Sequence, residues 1–225
     1  MNISPTIGEG IYNIPEAARI LNIPTQKVGL WIRKYWELEF LRSTQGKKNI
    51  YTWGETRDRG FNFYTLIELI AVKSFREIGL SFKKIKLAHE ILSTVLDTPY
   101  PFANSILLSD GRTIFLDQEN ADLLGIDNKL QYSFKEIVSP YCKKLEFNSK
   151  TNLAKRFWPL GKDKSIIIDP HHSFGQPVVL GTNITTYSIL KYLQAGESKE
   201  FVAKIFEIKT KMIDDVIQFG QRIAA

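Results

Sequence analysis

The sequence predicts an α+β protein built from two or three modules. Two short amphipathic helical patterns lie near the N-terminus, strand and turn patterns fill the middle, and three capped helical patterns end the chain. The 225 residues, 44% of them hydrophobic, are sufficient for a sizeable buried core. We therefore expect an N-terminal domain at residues 1–98, a β-rich middle segment at 99–173 and a three-helix module at 174–225.

The stretch NIPEAARILNIPTQKVGLWIRKYW, residues 13–36, predicts two short helices joined by a tight turn. Asn13 and Glu16 have the spacing of a capping box, in which each side chain bonds the backbone of the other residue. Asn22 ends the first helix, and the second runs from about Pro24 to Tyr35. Its outer face carries Gln26, Lys27, Leu30, Arg33 and Lys34.

This outer face has the chemistry of a DNA-reading helix. Glutamine can bond adenine with two hydrogen bonds, and lysine reaches guanine acceptors or phosphate. The candidate DNA-binding residues, two of them in the following loop, are Thr25, Gln26, Lys27, Arg33, Lys34, Lys47 and Lys48. The alternative is a solvated face of a packed helical hairpin. A net charge of +6 is consistent with both readings.

Residues 40–64 predict a β-hairpin with basic loops, because aromatic and β-branched residues alternate there between glycines. Helices resume after it. Thr65 and Glu68 predict a second capping box, and that helix stops at Gly79. Ser81 starts the next helix, whose apolar stripe is Ile85, Ala88, Leu92 and Val95.

The middle of the chain predicts hairpins. Asp110-Gly111 between two apolar runs is a strong turn signal, and Gly161 marks a second hairpin in KRFWPLGKDKSIIIDP. Residues 133–145 between them have a helical pattern. The apolar residues of the second hairpin predict a β core, or in part a surface for a partner: Phe157, Trp158, Ile166, Ile167 and Ile168.

The C-terminus predicts three short helices that start near Thr186, Ser198 and Thr210. Gly196 ends the first of them. The last helix carries an apolar stripe formed by Ile213, Val216, Ile217 and Phe219. The stripe predicts either packing inside the module or a homodimer interface.

Residues 12–96 resemble the DNA-binding domain of the mercury-resistance-regulator (MerR-like) family. The resemblance lies in YNIPEAARILNIPTQKVGLWIRKY and in GFNFYTLIELIAVKSFREIGLSFKKIKLA, where Gly60-Phe61, Tyr64-Thr65 and FREIGLSFKKIK occupy the family's motif positions. It implies a helix-turn-helix, a wing hairpin and two further helices. Gly29 and Leu30 stand where the family commonly has a basic residue and an aromatic.

The C-terminal stretch DPHHSFGQPVVLGTNITTYSILKYLQAGESKEFVAKIF is similar to a domain of unknown function found in VapB-like antitoxins. The matching positions are Gly175, Pro177, Gly181, Thr182, Ile184, Thr185, Gly196 and Ser198. Larger members of that family join a MerR-like N-terminal half to this domain. The resemblance implies an antitoxin that pairs with a PIN-like ribonuclease toxin.

The sequence offers no pattern typical of catalysis or of a cofactor. His171, His172 and Asp169 lie too close in sequence to supply the three or four converging ligands of a metal site, and we interpret them as a polar turn. Cys142 is expected to be buried. We therefore expect a non-enzymatic protein without a cofactor. We expect it to be cytoplasmic, since the N-terminal stretch has no apolar signal core and no apolar run is long enough for a membrane span.

These observations favour an antitoxin of a type II toxin–antitoxin system that binds operator DNA as a homodimer and masks a nuclease. The candidate toxin-binding residues are Lys155, Arg156, Lys162 and Lys164; the alternative for them is solvated charges at a strand edge. Two other functions stay open. One is a stand-alone MerR-like transcription regulator, and the other is an interaction scaffold that has lost DNA binding, which Gly29 and Leu30 favour.

Overall fold

The computed structural model describes residues 8–40, 51–54, 59–105 and 140–224. Within those ranges the chain combines helices with short antiparallel strand pairs, so the predicted α+β class is confirmed. The helices are α1 (Ile14–Leu21), α2 (Thr25–Trp31), α3 (Phe63–Glu77), α4 (Phe82–Val95), α5 (Thr186–Gln194), α6 (Lys199–Ile205) and α7 (Thr210–Ala224). The strands are β1 (Tyr12–Asn13), β2 (Gly60–Phe61), β3 (Leu145–Phe147), β4 (Ala154–Phe157), β5 (Ile166–Ile167) and β6 (Val178–Val179).

The predicted N-terminal helix pair is present, but its second α-helix ends at Trp31 and not near Tyr35. Asn13 Oδ1 accepts the Glu16 backbone N–H at 2.8 Å, and Glu16 Oε2 accepts the Asn13 N–H at 2.9 Å, so both halves of the capping box form. Asn22 ends α1 in the left-handed conformation, with φ of 54°. After α2 the chain continues as a π-helical segment, Ile32–Phe40.

One short strand pair brings the N-terminus to the region of the predicted wing. β1 pairs antiparallel with β2, so that Tyr12 lies opposite Phe61. Trp53 and Gly60 exchange two backbone hydrogen bonds of 2.9 Å, as expected for a hairpin. Residues 41–50 and 55–58, which hold the rest of the predicted hairpin, lie outside the described residues.

The predicted capping box at Thr65 and Glu68 is wrong. The cap of α3 is Asn62, whose Oδ1 accepts the Thr65 N–H at 2.9 Å, because the helix begins two residues before Thr65. The Thr65 hydroxyl instead donates to the Tyr51 carbonyl at 3.0 Å. Glu68 is fully buried in the helix interior and is therefore unavailable as a cap.

The helix that follows begins where the sequence predicts, after the Ser81 cap. Of its predicted stripe, Ile85 and Leu92 are buried, whereas Val95 is 55% exposed. His89 occupies a fully buried position on the same helix. The buried side of this helix therefore includes a histidine, and a search for apolar residues at helical spacing does not find it.

The hairpin predicted around Gly161 is only partly present. Phe157 and Ile168 exchange two backbone hydrogen bonds of 2.9 and 2.8 Å. Beyond that single bridge, β4 pairs with β3 and β5 pairs with β6. The two sides of the Gly161 turn, β4 and β5, therefore form their ladders with other strands and not with each other. The predicted Asp110-Gly111 hairpin and most of the predicted helix at 133–145 lie outside the described residues.

The three predicted C-terminal helices are confirmed, with Thr185 and Ser198 as caps of the first two. Ile166 and Val179, from β5 and β6, share a core with the helices. The helical members of that core include Ile189, Val202, Ile213, Val216 and Phe219, all of them buried. The stripe of α7 therefore packs mainly inside the module, and it does not form an exposed dimer interface.

A second, larger core holds α1 to α4 together with β3 and β4. The two cores are joined at the start of the chain. The Tyr12 hydroxyl is buried and donates to the Gly175 carbonyl at 2.8 Å, and the Ile11 N–H donates to the Phe174 carbonyl at 3.0 Å. Helix α1 consequently contacts both α2 on one side and α7 on the other.

Candidate functional site

Helix α2 presents a polar, cationic surface to solvent. We call it the basic face and define it as Thr25, Gln26, Lys27, Arg33 and Lys34, all exposed in the structure. Arg33 and Lys34 belong to the π-helical continuation of the same rod. The opposite side is buried through Val28, Trp31 and Ile32. The structure thus brings these five predicted residues together on one surface.

Aromatic packing fixes the orientation of this helix. The Tyr35 ring stacks on Phe82 of α4, with centroids 3.6 Å apart and planes 4° apart. Trp31 meets the same Phe82 ring edge-on at 5.7 Å. Because both contacts lie behind the basic face, the exposed side chains project from a helix that cannot rotate freely.

The cations of the basic face are available to an external anion. Lys27 Nζ lies 5.3 Å from the centre of the Trp31 ring, and Lys34 Nζ lies 5.7 Å from the Tyr35 ring. No carboxylate in the described part of the chain pairs with Lys27, Arg33 or Lys34. A phosphate can therefore bind here without breaking an internal ion pair.

Gly29 lies on the inner side of α2. It is buried, and a Cβ built on it would lie 3.8 Å from Ile14 Cδ1 of α1. Leu30 is 51% exposed beside the basic face. The glycine therefore leaves the cationic surface intact, whereas Leu30 places an apolar side chain on it. Lys47 and Lys48 lie outside the described residues.

The four candidate toxin-binding cations differ in their surroundings. Lys155 pairs with Glu146 at 3.3 Å, and Arg156 bonds Asp169 at 2.7 Å and approaches Glu146 at 3.6 Å. Lys162 lies over the Trp158 ring at 5.4 Å. Among the described residues no carboxylate pairs with Lys162, so it is the candidate best placed to meet a partner's acid.

Lys164 has a structural partner that the sequence did not reveal. Asp215 of α7 is buried and accepts the Ser165 N–H at 2.9 Å and the Lys164 ammonium at 3.0 Å. Burial alone would raise the pKa of Asp215, but the Ser165 and Lys164 hydrogen bonds outweigh it and lower that pKa. This contact ties the turn before β5 to α7.

A buried ionisable pair lies between α3 and α4. Glu68 of α3 and His89 of α4 are fully buried, and Glu68 Oε2 lies 3.2 Å from His89 Nε2. Glu68 Oε1 accepts the backbone N–H groups of Phe102 and Ala103 at 2.7 and 3.0 Å. Their separation of 21 residues carries no recognisable motif, so sequence reasoning missed the pair.

The residues considered for metal or thiol chemistry have structural roles. His172 Nε2 lies 3.2 Å from the Thr182 carbonyl, and Asp169 Oδ1 accepts the His171 backbone N–H at 2.9 Å. Cys142 is buried, as predicted, and burial raises the pKa of its thiol to about 12. Across the described ranges, no group of three or more histidine, cysteine or acidic side chains is arranged to hold a metal ion.

No helix in the described residues is both long enough and apolar enough to cross a membrane.

Comparison with known proteins gives two kinds of match. The sequence model of a family described as "Protein of unknown function (DUF433)" matches residues 166–219, which covers β5, β6 and most of the C-terminal helices. A Mycobacterium tuberculosis H37Rv protein named "Putative antitoxin VapB45" is 25% identical over 92% of each chain.

The fold also matches a solved structure. The crystal structure of Rv2018 from Mycobacterium tuberculosis superimposes with a TM-score of 0.72 at 21% identity. The match covers 96% of this chain and 100% of that one. At this identity the likeness establishes a common fold across both modules and nothing about activity.

Proposed function

We propose that this protein is the antitoxin of a type II toxin–antitoxin pair, which binds its operator DNA and neutralises a PIN-like ribonuclease. The observation that carries the proposal is similarity along nearly the whole chain, 92% on both sides, to a protein named as a VapB antitoxin. The family matched at residues 166–219 is described as of unknown function, so that match supports a common C-terminal domain and adds no functional assignment.

The DNA-binding half of the proposal rests on the basic face. In this proposal α1 and α2 form the helix-turn-helix of a MerR-like winged domain, with α2 as the recognition helix. Gln26 lies at the N-terminal end of α2, where recognition helices contact base edges, and Arg33 and Lys34 lie further along the rod, toward phosphates. Two copies bind two half-sites about one turn of DNA apart.

Removing the phosphate-facing cations should weaken binding to every sequence. The double variant Arg33→Ala with Lys34→Ala removes two unpaired charges, and each phosphate contact releases roughly one counterion. We expect the slope of log K against log salt to become shallower by about 2, measured by fluorescence anisotropy with the upstream promoter. Gln26→Ala should instead reduce discrimination between operator and scrambled DNA by about 1–3 kcal/mol.

The matched control is Lys209→Ala, which removes an exposed cation from the loop before α7. It should bind DNA as the wild type does. An unchanged salt slope in the Arg33 and Lys34 double variant, or no binding by the full-length protein at low salt, would refute the proposed DNA interface. The second of these results would favour the scaffold function, for which the exposed Leu30 offers an apolar contact on the helix surface.

In the second part of the proposal, which concerns the toxin, Lys162 contacts an acidic nuclease site. PIN-like nucleases hold a divalent metal with carboxylates, and an exposed ammonium can pair with such a cluster. The experiment is growth of cells that express the product of the adjacent gene. Co-expression of the full-length protein should restore growth and block RNA cleavage in vitro, and Lys162→Ala should reduce the inhibition about tenfold.

Lys155→Ala is the control for this variant, because its ammonium already pairs with Glu146 at 3.3 Å. We expect it to inhibit the nuclease as the wild type does. If the full-length protein fails to restore growth while it still binds the promoter, the stand-alone regulator becomes the better description. The antitoxin proposal would then be withdrawn.

A further inference from the structure

A groove of about 490 Å³ separates α1 of the N-terminal core from α5 of the C-terminal module. One wall is a helical stripe of α1, formed by Glu16, Arg19 and Ile20. The other is a stripe of α5, formed by Tyr187, Leu190 and Lys191. Phe219 of α7 lies at its base. The groove thus combines an apolar interior with charged rims, which is the usual make-up of a binding site.

Exposed apolar side chains lie in the groove lining and next to it. Tyr187 is 60% exposed and Ile11 is 42% exposed. The Ile11 N–H bonds the carbonyl of Phe174, which is 72% exposed. Ser173 and Phe174 have φ values of 47° and 55°, a left-handed conformation that is unfavourable for both residue types. A turn that holds an aromatic ring in solvent at an energetic cost is typical of a contact site.

The rims carry more positive than negative charge. Arg19 is exposed, and within the described residues no acidic group pairs with it. On the wall opposite Arg19, Lys191 Nζ lies 4.9 Å from the centre of the Tyr187 ring of the same helix. The Glu16 carboxylate bonds the Asn13 N–H at 2.9 Å as part of the helix cap. The groove lining thus holds two cations and one carboxylate, so that its net charge is positive.

We propose that this groove binds a short acidic segment of the partner toxin, with an apolar side chain in the groove and carboxylates on Arg19 and Lys191. The inference rests on the proposed function. A protein segment fits better than a free small acid, because exposed apolar surface continues outside the groove lining at Phe174, whose carbonyl accepts the N–H of the lining residue Ile11. The two walls, α1 with 8 residues and α5 with 9, are about 12–14 Å long. An extended segment of about four residues has the same length and would fill the groove.

The test is titration of full-length protein with the purified product of the adjacent gene. Arg19→Gln with Lys191→Gln removes both rim charges, and we expect Kd to rise about tenfold with a weaker salt dependence. Tyr187→Ala should raise Kd about 30-fold, as truncation of an exposed aromatic anchor does. All three side chains are exposed, so thermal melting should show wild-type stability.

Two matched controls lie on α6, which contributes no residue to the groove lining. Lys204→Gln removes an exposed cation, and Phe201→Ala removes a ring that is 44% exposed. Both should change Kd less than twofold. If the groove variants bind like the wild type, the groove is not the contact site and the antitoxin proposal still stands. If the wild-type protein does not bind the gene product at all, both proposals fall.

Discussion

Replacing Gly175 by alanine should destabilise the protein by about 3–5 kcal/mol, through overpacking and an unfavourable backbone conformation. An alanine Cβ at this position would lie 2.2 Å from Tyr12 Oη and 2.8 Å from Tyr12 Cζ. The residue also has a φ of 82°, which favours glycine. The hydroxyl cannot move away without losing its 2.8 Å hydrogen bond to the Gly175 carbonyl. Urea unfolding followed by circular dichroism measures the loss.

Gly181→Ala is the matched control. Gly181 has a similar φ of 79°, but no atom lies within 4 Å of the added methyl group. It should therefore show only the conformational cost, about 1–2 kcal/mol. The difference between the two alanine variants isolates the collision with Tyr12.

A second variant identifies the colliding atom. Tyr12→Phe removes the hydroxyl, and alone it should cost about 1–2 kcal/mol because the Gly175 carbonyl loses its buried donor. Combined with Gly175→Ala, it should recover part of the loss, so that the double variant is more stable than the sum of the single variants predicts. Strict additivity would mean that the added methyl group does not collide with the Tyr12 hydroxyl.

This contact shows where sequence reasoning reached its limit. Asn13, Glu16 and Ser81 were identified as caps because capping depends on residues three positions apart. Gly175 could be recognised as part of a turn motif. Its partner Tyr12, however, lies 163 positions earlier, and no local pattern links them.

The candidate binding residues were likewise predictable only in part from the sequence. The periodicity of α2 correctly separated its exposed face from its buried side, because a helix repeats every 3.6 residues. The four cations of the β region looked equivalent in sequence. Their different partners arise from Glu146, Asp169 and Asp215, which the fold brings in from three separate elements.

Removing the carboxylate of Glu68 should also have a large effect. Glu68→Ala takes the Glu68 acceptor from the buried Phe102 N–H and leaves the Ala103 N–H only its 3.2 Å contact to the Tyr100 carbonyl, and it removes the partner of His89. We expect a loss of about 3–5 kcal/mol in the free energy of unfolding. Glu68→Gln should cost only about 1 kcal/mol, since its amide oxygen can accept both N–H groups that Oε1 accepts now. Equal losses in the two variants would show that volume, and not hydrogen bonding, determines the effect.

The same pair predicts a pH dependence with a definite sign. Burial raises the pKa of Glu68 above its ordinary value of 4.5, and hydrogen bonds from His89, Ala103 and Phe102 offset this only in part. The folded protein therefore holds the Glu68 proton more tightly than the unfolded chain. That contribution to stability is complete below pH 4.5 and declines as the pH rises through the raised pKa. Glutamine does not titrate, so the wild type should gain most over Glu68→Gln near pH 4.5 and less at pH 7.5, by urea unfolding at each pH. A difference that instead grows with pH would mean that the folded protein holds Glu68 as a carboxylate.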